Sequence, residues 1–228
     1  MNTDRDLVRS TSMRLVHPTD LDIAARAVEA GELVIVPTKR WYMICADAGN
    51  PDACKRIFDG KKRPTGKSLA FVLPSREACE ARFQLTAEAR RLADAFWPGD
   101  LALLLPWRDP ADAAGYTAVG SPALTTYDSG VLGQLASIST APVAATTVNI
   151  SGDAGPDDPG PAVTLDEVKH FLTTTSVAAS VIVDGGICPA ANHMTIVDCF
   201  TPEARLVRTG LVHQRAISAA LGRDVRGT

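Results

Sequence analysis

Aromatic residues are scarce in this chain, and no metal-binding pattern is present. Rings make up 5% of the sequence, so its apolar content is chiefly aliphatic. The five cysteines, Cys45, Cys54, Cys79, Cys188 and Cys199, are odd in number and never stand at CxxC spacing. That excludes a zinc knuckle and a complete disulfide framework, and buried free thiols are the expected state. Four scattered histidines supply no metal-ligand cluster. Positive charge is not in excess either: the formal net charge is −3, which argues against wrapping nucleic acid over the whole domain. No apolar run reaches membrane-spanning length, and the polar first dozen residues, with Asp4, Arg5, Asp6 and Arg9, hold no signal-peptide core. No membrane partner is expected, and the cytoplasm is the expected compartment.

What is present is enough apolar residue for one core: 46% of 228 residues, the usual provision of a single α/β domain. Residues 1–12 are expected to be disordered and 13–228 to form that domain. Met13–Val16 reads as an edge strand, and Thr19 as the cap of a helix from Asp20 to Ala30. Strands are expected at Leu33–Val36, Ile44–Ala46, Ser68–Leu73, Leu101–Pro106, Thr117–Leu124, Val143–Thr146, Val181–Val183, Thr195–Val197 and Leu206–Val207. Helices are expected after Asn50-Pro51 to Gly60, from Ser75 to Phe83, Thr86 to Phe96, Ser129 to Ile138, Thr164 to Leu172 and Gln214 to Leu221. Arg108–Gly115 reads as a solvent loop, and Gly152–Pro161, rich in Gly, Asp and Pro, as a loop that can serve as a lid. Strands alternating with helices imply a twisted mixed β-sheet with flanking helices.

The stretch from Leu33 to Leu73 carries the chemistry. Between two buried strands lie Lys39, Arg40, Lys55, Arg56, Lys61, Lys62, Arg63 and Lys67, a local concentration of cations in an acidic protein that suits an anionic ligand. Gly60–Ser68 superficially matches a phosphate-binding P-loop. It has five residues instead of four before Gly66-Lys67, one of them Pro64 without an N–H, and it follows a helix and precedes a strand, the reverse of the required order. The alternatives left by the residues alone are a cationic clamp for phosphates and a solvated basic loop.

Seven motifs taken in order carry a resemblance. They are Val36-Pro37-Thr38 with Tyr42 and Ala46-Asp47-Ala48; Arg56-Ile57-Phe58 with Lys61, Arg63, Pro64, Lys67 and Leu69; Phe96-Trp97-Pro98-Gly99; Asn149-Ile150-Ser151-Gly152; Val183-Asp184-Gly185-Gly186; Thr195-Ile196-Val197-Asp198; and Arg208 with Gly210. Over about residues 13–212 the chain resembles the YrdC/Sua5/YciO family, whose best-known members are threonylcarbamoyl-AMP synthases. The resemblance implies a concave cavity on the sheet. It also implies an activity that turns ATP with Mg²⁺, bicarbonate and L-threonine into threonylcarbamoyl-AMP and pyrophosphate, which a downstream transferase uses on tRNA adenosine-37. By that resemblance Lys61 and Arg63 are the catalytic pair and bind nucleotide phosphates, with Asn149 and Arg208 also on the nucleotide. Thr38, Lys39, Arg40, Lys67, Thr147 and Thr195 are expected at the amino-acid and bicarbonate end. No protein-held metal is expected.

The departures fall on the expected cavity lining. The family's Asp-Thr-x-Tyr-Gly-Leu after Pro-Thr reads Lys39-Arg40-Trp41-Tyr42-Met43-Ile44, its Ser-x-Asn reads Thr147-Val148-Asn149, and its Ser-Thr reads Met194-Thr195. No Arg stands between Arg108 and Arg205, where many members carry one near the substrate. Lys39 and Arg40 are candidates to replace it. Trp41 reads either as a stacking platform or, with Tyr42, as core. Two further readings stay open: a diverged paralogue acting on another amine or small molecule, and a non-catalytic module binding nucleotide or RNA.

Overall fold

The computed structural model describes residues 13–150 and 160–227. The opening dozen expected to be disordered and most of the expected lid at Gly152–Pro161 lie outside the described residues.

In chain order the elements are β1 (Arg14–Val16), a short 3₁₀ turn (Pro18–Asp20), α1 (Leu21–Glu29), β2 (Leu33–Pro37), β3 (Tyr42–Asp47), α2 (Pro51–Gly60) and β4 (Ala70–Val72). These are followed by α3 (Arg76–Arg82), α4 (Ala87–Phe96), β5 (Leu101–Leu105), α5 (Pro110–Gly115), β6 (Ala123–Thr126), α6 (Val131–Ile138) and β7 (Val143–Thr147). The last are α7 (Leu165–Thr174), β8 (Ala179–Val183), β9 (Thr195–Asp198), β10 (Arg205–Arg208) and α8 (Gln214–Leu221). The ten strands among the described residues form one mixed sheet in the order β1-β8-β2-β3-β7-β4-β6-β5-β9-β10.

The unbroken apolar runs are explained by burial on both faces of the sheet. Along β2, Leu33 and Ile35 face one core layer while Val34 and Val36 face the other. In β3, Tyr42, Ile44 and Ala46 join the first layer and Met43 and Cys45 the second. Helices α1 and α6 cover the second layer; α2, α4, α7 and α8 contribute to the first. Several of the scarce rings gather in one cluster. Phe71 meets Phe83 edge-on at 5.6 Å, and Trp107 stacks on Tyr116 at 5.2 Å. All five cysteines are free and buried. No described helix is long and apolar enough to cross a membrane.

Side-chain caps start α2, α3, α4 and α7 where the sequence indicates: Asn50, Ser75, Thr86 and Thr164 each accept a backbone N–H, and Thr164 with Glu167 completes a capping box. Three expectations are corrected. Thr19 does not cap α1: it lies within the 3₁₀ turn, and the His17 ring accepts its N–H. The expected solvent loop Arg108–Gly115 contains α5, because Asp109 caps it and Pro110 takes the first helical position, where its missing N–H is harmless. The strand expected at Thr117–Leu124 begins instead at Ala123, since Tyr116 to Gly120 form a turn closed by Val119 and Gly120 N–H donation to Tyr116 O.

The start of α6 lies hard against the segment before it. A Cβ on Gly133 would stand 1.6 Å from the Asp128 carbonyl oxygen. Helix propensity alone favours Ala over Gly by about 1 kcal/mol, but here a methyl forces the backbone apart, a disturbance of about 1–3 kcal/mol or more. Gly133→Ala should therefore lower the urea midpoint of unfolding, against the propensity scale; an unchanged or raised midpoint would show that α6 is not seated this closely.

Candidate functional site

The site begins at the C-terminal end of α2. Gly60 passes so close to Val177 that a Cβ would meet its Cγ2 at 2.4 Å and its backbone nitrogen at 2.9 Å. Only glycine permits that approach, and it aims the next residue inward. Lys61 is fully buried. Lys62 then takes a positive φ of 50°, unusual for a side chain with a Cβ, and reverses the chain. Lys62 ends up exposed and Arg63 half-buried.

A buried ammonium must find hydrogen-bond acceptors. Lys61 Nζ donates to Thr147 O at the end of β7, to Asn149 O at 2.6 Å and to Asn149 Oδ1 at 3.2 Å. All three of its N–H donors thus meet carbonyl oxygens, and the Phe171 ring of α7 lies 5.9 Å below. Thr147 Oγ1 donates to Asn149 Oδ1 at 2.6 Å, fixing the amide. Arg63 donates from Nε to Lys67 O at 2.8 Å and from Nη2 to Ser68 O at 2.6 Å. Burial pulls the Lys61 ammonium down to about 7, and the nearby Arg63 charge adds to the fall. The three carbonyl acceptors favour the charged form and work against both effects without cancelling them.

Asn149 and Phe171 also line an apolar cleft of about 740 Å³ between the end of β7 and α7, with Val148, Ala162, His170 and Thr174. That volume is within the range of small-molecule sites.

The remaining cations do not share this cluster. Lys55 pairs with Asp59 at 2.5 Å, Arg56 donates to Gly31 O, and Lys39 and Lys67 are exposed. Arg40 is buried, at 2% exposure, and its Nη1 donates to Asp100, just before β5. Trp41 lies edge-on to His193 at 4.7 Å and is buried, as is Tyr42, whose hydroxyl donates to Gly186 O at 2.8 Å. Both rings pack in the core, and the reading of Trp41 as a stacking platform gains no support. Thr38 Oγ1 donates to Trp41 O at 2.7 Å and accepts from Arg40 N. Thr195 is fully buried, donating to Val212 O at 2.6 Å and accepting from Gly210 N and Val212 N. Arg208 donates to Met194 O at 3.0 Å, and burial together with the charges of Arg208 and Arg40 lowers the His193 pKa.

The structure thus divides the expected site. Lys61, Thr147 and Asn149 are bonded together, with Arg63 beside them. Arg40, Arg208 and Thr195 gather around Asp100, His193 and Met194. Asp100, His193 and Phe171 were not singled out from sequence. A lone Asp between Gly99 and an apolar strand was the available sign of the first, but its partner is 60 residues away.

A ten-stranded mixed sheet in which a helix-end Lys-x-Arg is tied to a strand-end Thr-x-Asn defines the class of α/β protein. The chain belongs to the Sua5/YciO/YrdC family, whose model, described as "Telomere recombination", matches residues 26–210. The threonylcarbamoyl-AMP synthase of Pyrococcus abyssi (strain GE5 / Orsay) is 29% identical over 201 residues, 88% of this chain and 56% of that protein. The threonylcarbamoyl-AMP synthase of Bacillus subtilis (strain 168) is 29% identical over 224 residues, 97% of this chain and 62% of that protein. The crystal structure of P. abyssi Sua5 complexed with L-threonine superposes with a TM-score of 0.80 at 25% identity, covering 95% of this chain and 63% of that one. This chain spans less than two thirds of the length of these relatives.

The Lys61 cluster makes a pH prediction. Its folded pKa, about 7, lies below the unperturbed value of 10.5, so between those values the unfolded chain binds more protons and stability rises with pH. The urea midpoint of the wild type relative to Lys61→Met should climb between about pH 7 and pH 10. A flat difference would mean that the three carbonyls keep Lys61 charged throughout.

Proposed function

We propose that the chain is a nucleotidyltransferase of threonylcarbamoyl-AMP synthase type, acting on ATP, bicarbonate and L-threonine or a related amine. The amine condenses with bicarbonate, releasing water, to give a carbamate. A carbamate oxygen attacks the α-phosphorus of ATP, the bond to the β-phosphate oxygen breaks, and pyrophosphate leaves. The product is a carbamoyl adenylate that a downstream transferase would pass to tRNA adenosine-37. Magnesium belongs to the ATP substrate; among the described residues no group of three or more His, Cys, Asp or Glu is placed to hold it.

The observation that carries this reading is the Lys61–Thr147–Asn149 cluster beside Arg63. Fixed positive charge in a site shielded from water stabilises the negative charge that builds on a leaving pyrophosphate, with no reorganisation needed at the moment of reaction. The adjoining cleft supports the same reading by offering room for a nucleotide. Relatives 29% identical over most of this chain bear the name of this activity.

Purified protein with ATP, Mg²⁺, bicarbonate and a panel of amino acids including L-threonine should release pyrophosphate in an amino-acid-dependent way. Lys61→Ala and Arg63→Ala should each reduce the rate by roughly 10²–10³-fold, the loss typical of a fixed charge-stabilising donor. No amino-acid-dependent release from the wild type, or rates unchanged in both variants, would remove this reading.

A further inference from the structure

The end of α2 is closed by a pair of hydrogen bonds that ordinarily calls for glycine. Lys62 N donates to Asp59 O at 3.2 Å and Arg63 N to Phe58 O at 2.8 Å, the two bonds of a Schellman cap. The first of the two donor residues in such a cap takes a left-handed backbone, where a Cβ crowds the following carbonyl and only glycine sits without strain. Two other helices end in the same way and obey that rule. After α1, Gly31 N donates to Val28 O and Glu32 N to Ala27 O, with Gly31 at φ 77°; after α8, Gly222 N donates to Ala219 O and Arg223 N to Ser218 O, with Gly222 at φ 67°. At the end of α2 the residue is Lys62, at φ 50°. Backbone strain of this kind persists where something offsets it, and it clusters at functional sites.

The neighbouring cations show what Lys62 adds. Lys61 is buried and bonded to Thr147 O and Asn149, and half-buried Arg63 bonds Lys67 O and Ser68 O, so both also hold the loop in shape. Lys62 is exposed, and among the described residues it has no ion-pair partner; the closest acid along the chain, Asp59, is taken by Lys55 at 2.5 Å. Consecutive Cα atoms are about 3.8 Å apart, so its charge stands beside both site cations and within the Debye length of about 8 Å at physiological salt. A free charge at the mouth of a site raises the local concentration of an incoming anion and speeds its arrival. Glycine at this position would relieve the backbone and remove that charge.

We propose that Lys62 is a capture residue for the phosphate chain of the nucleotide, an exposed charge that draws the anion toward Lys61 and Arg63 and is kept in left-handed backbone for that purpose. The inference rests on the nucleotide reading above. Lys62 takes no part in bond making or breaking; it acts on arrival, through solvent.

Isothermal titration of the full chain with ATP and Mg²⁺ tests the proposal on two variants: Lys62→Gly, which suits the backbone and removes the charge, and Lys62→Arg, which keeps the charge. At about 50 mM salt Lys62→Gly should bind ATP about three- to tenfold more weakly than the wild type, and at about 500 mM, where the Debye length is roughly 4 Å, less than about twofold more weakly. Lys62→Arg should stay within about twofold of the wild type at both, since screening acts on the charge it retains. The urea midpoint of Lys62→Gly should be unchanged or raised, because the cap is intact and the strain is gone. An unchanged affinity of Lys62→Gly at low salt, a loss equal at both salt concentrations, a loss shared by Lys62→Arg, a lowered urea midpoint in Lys62→Gly, or a wild type that binds no ATP would overturn it. Salt-dependent loss of ATP binding in Lys62→Gly, without pyrophosphate release from the wild type, would sustain the capture role while removing the catalytic reading. Pyrophosphate release with an unchanged low-salt KM for ATP in Lys62→Gly would remove the capture role and leave that reading standing.

Discussion

A buried ammonium at the end of a helix is the constraint on which the rest of this structure depends. Lys61 cannot stay charged in the interior without acceptors, and three carbonyl oxygens at the end of β7 and just beyond it provide them. Meeting that need ties α2 to β7, orders Asn149 through the Thr147 hydroxyl, and brings Phe171 of α7 beneath the charge. Two backbone features make the approach possible: the side-chain-free Gly60 against Val177, and the left-handed turn at Lys62. The cation therefore organises local structure as well as supplying charge.

The two cationic groups illustrate opposite ways of managing buried charge. Lys61 is satisfied by neutral dipoles, which leaves its positive field available to its surroundings. Arg40 is neutralised by Asp100 across the gap between the β2–β3 turn and β5. Substitutions that look drastic in a linear motif, a guanidinium where a hydroxyl is usual and a thioether where a glycine is usual, are each accommodated in three dimensions. Arg40 acquires a counter-ion, and Met43 packs into an apolar layer that already holds Cys45, Val72 and Ala145.

Most of the architecture was legible in the sequence. Unbroken apolar runs marked the strands, and Asn50, Ser75, Thr86 and Thr164 marked helix starts, because capping is a local bond between a side chain and a backbone three residues on. The misreadings were local as well. At His17 and Thr19, two positions apart, it is the histidine that caps the turn, and at Asp109-Pro110 a composition typical of loops also satisfies the first turn of a helix. The site was legible only in part. Lys61, Arg63, Thr147 and Asn149 could be proposed from their motifs, and three of the four are bonded to one another.

By itself the sequence determined the family, the alternation of strand and helix, and the identity of the charged residues, since these depend on spacing along the chain. Tertiary structure alone decided how those charges are spent. Lys39 and Lys67 are exposed, Thr195 is sealed by the backbone of Gly210 and Val212, and Arg40 is fixed by an aspartate 60 residues away. The physical reason is that an ion pair or a buried hydrogen bond is set by distance in space and by the exclusion of water, and neither is written in residue order.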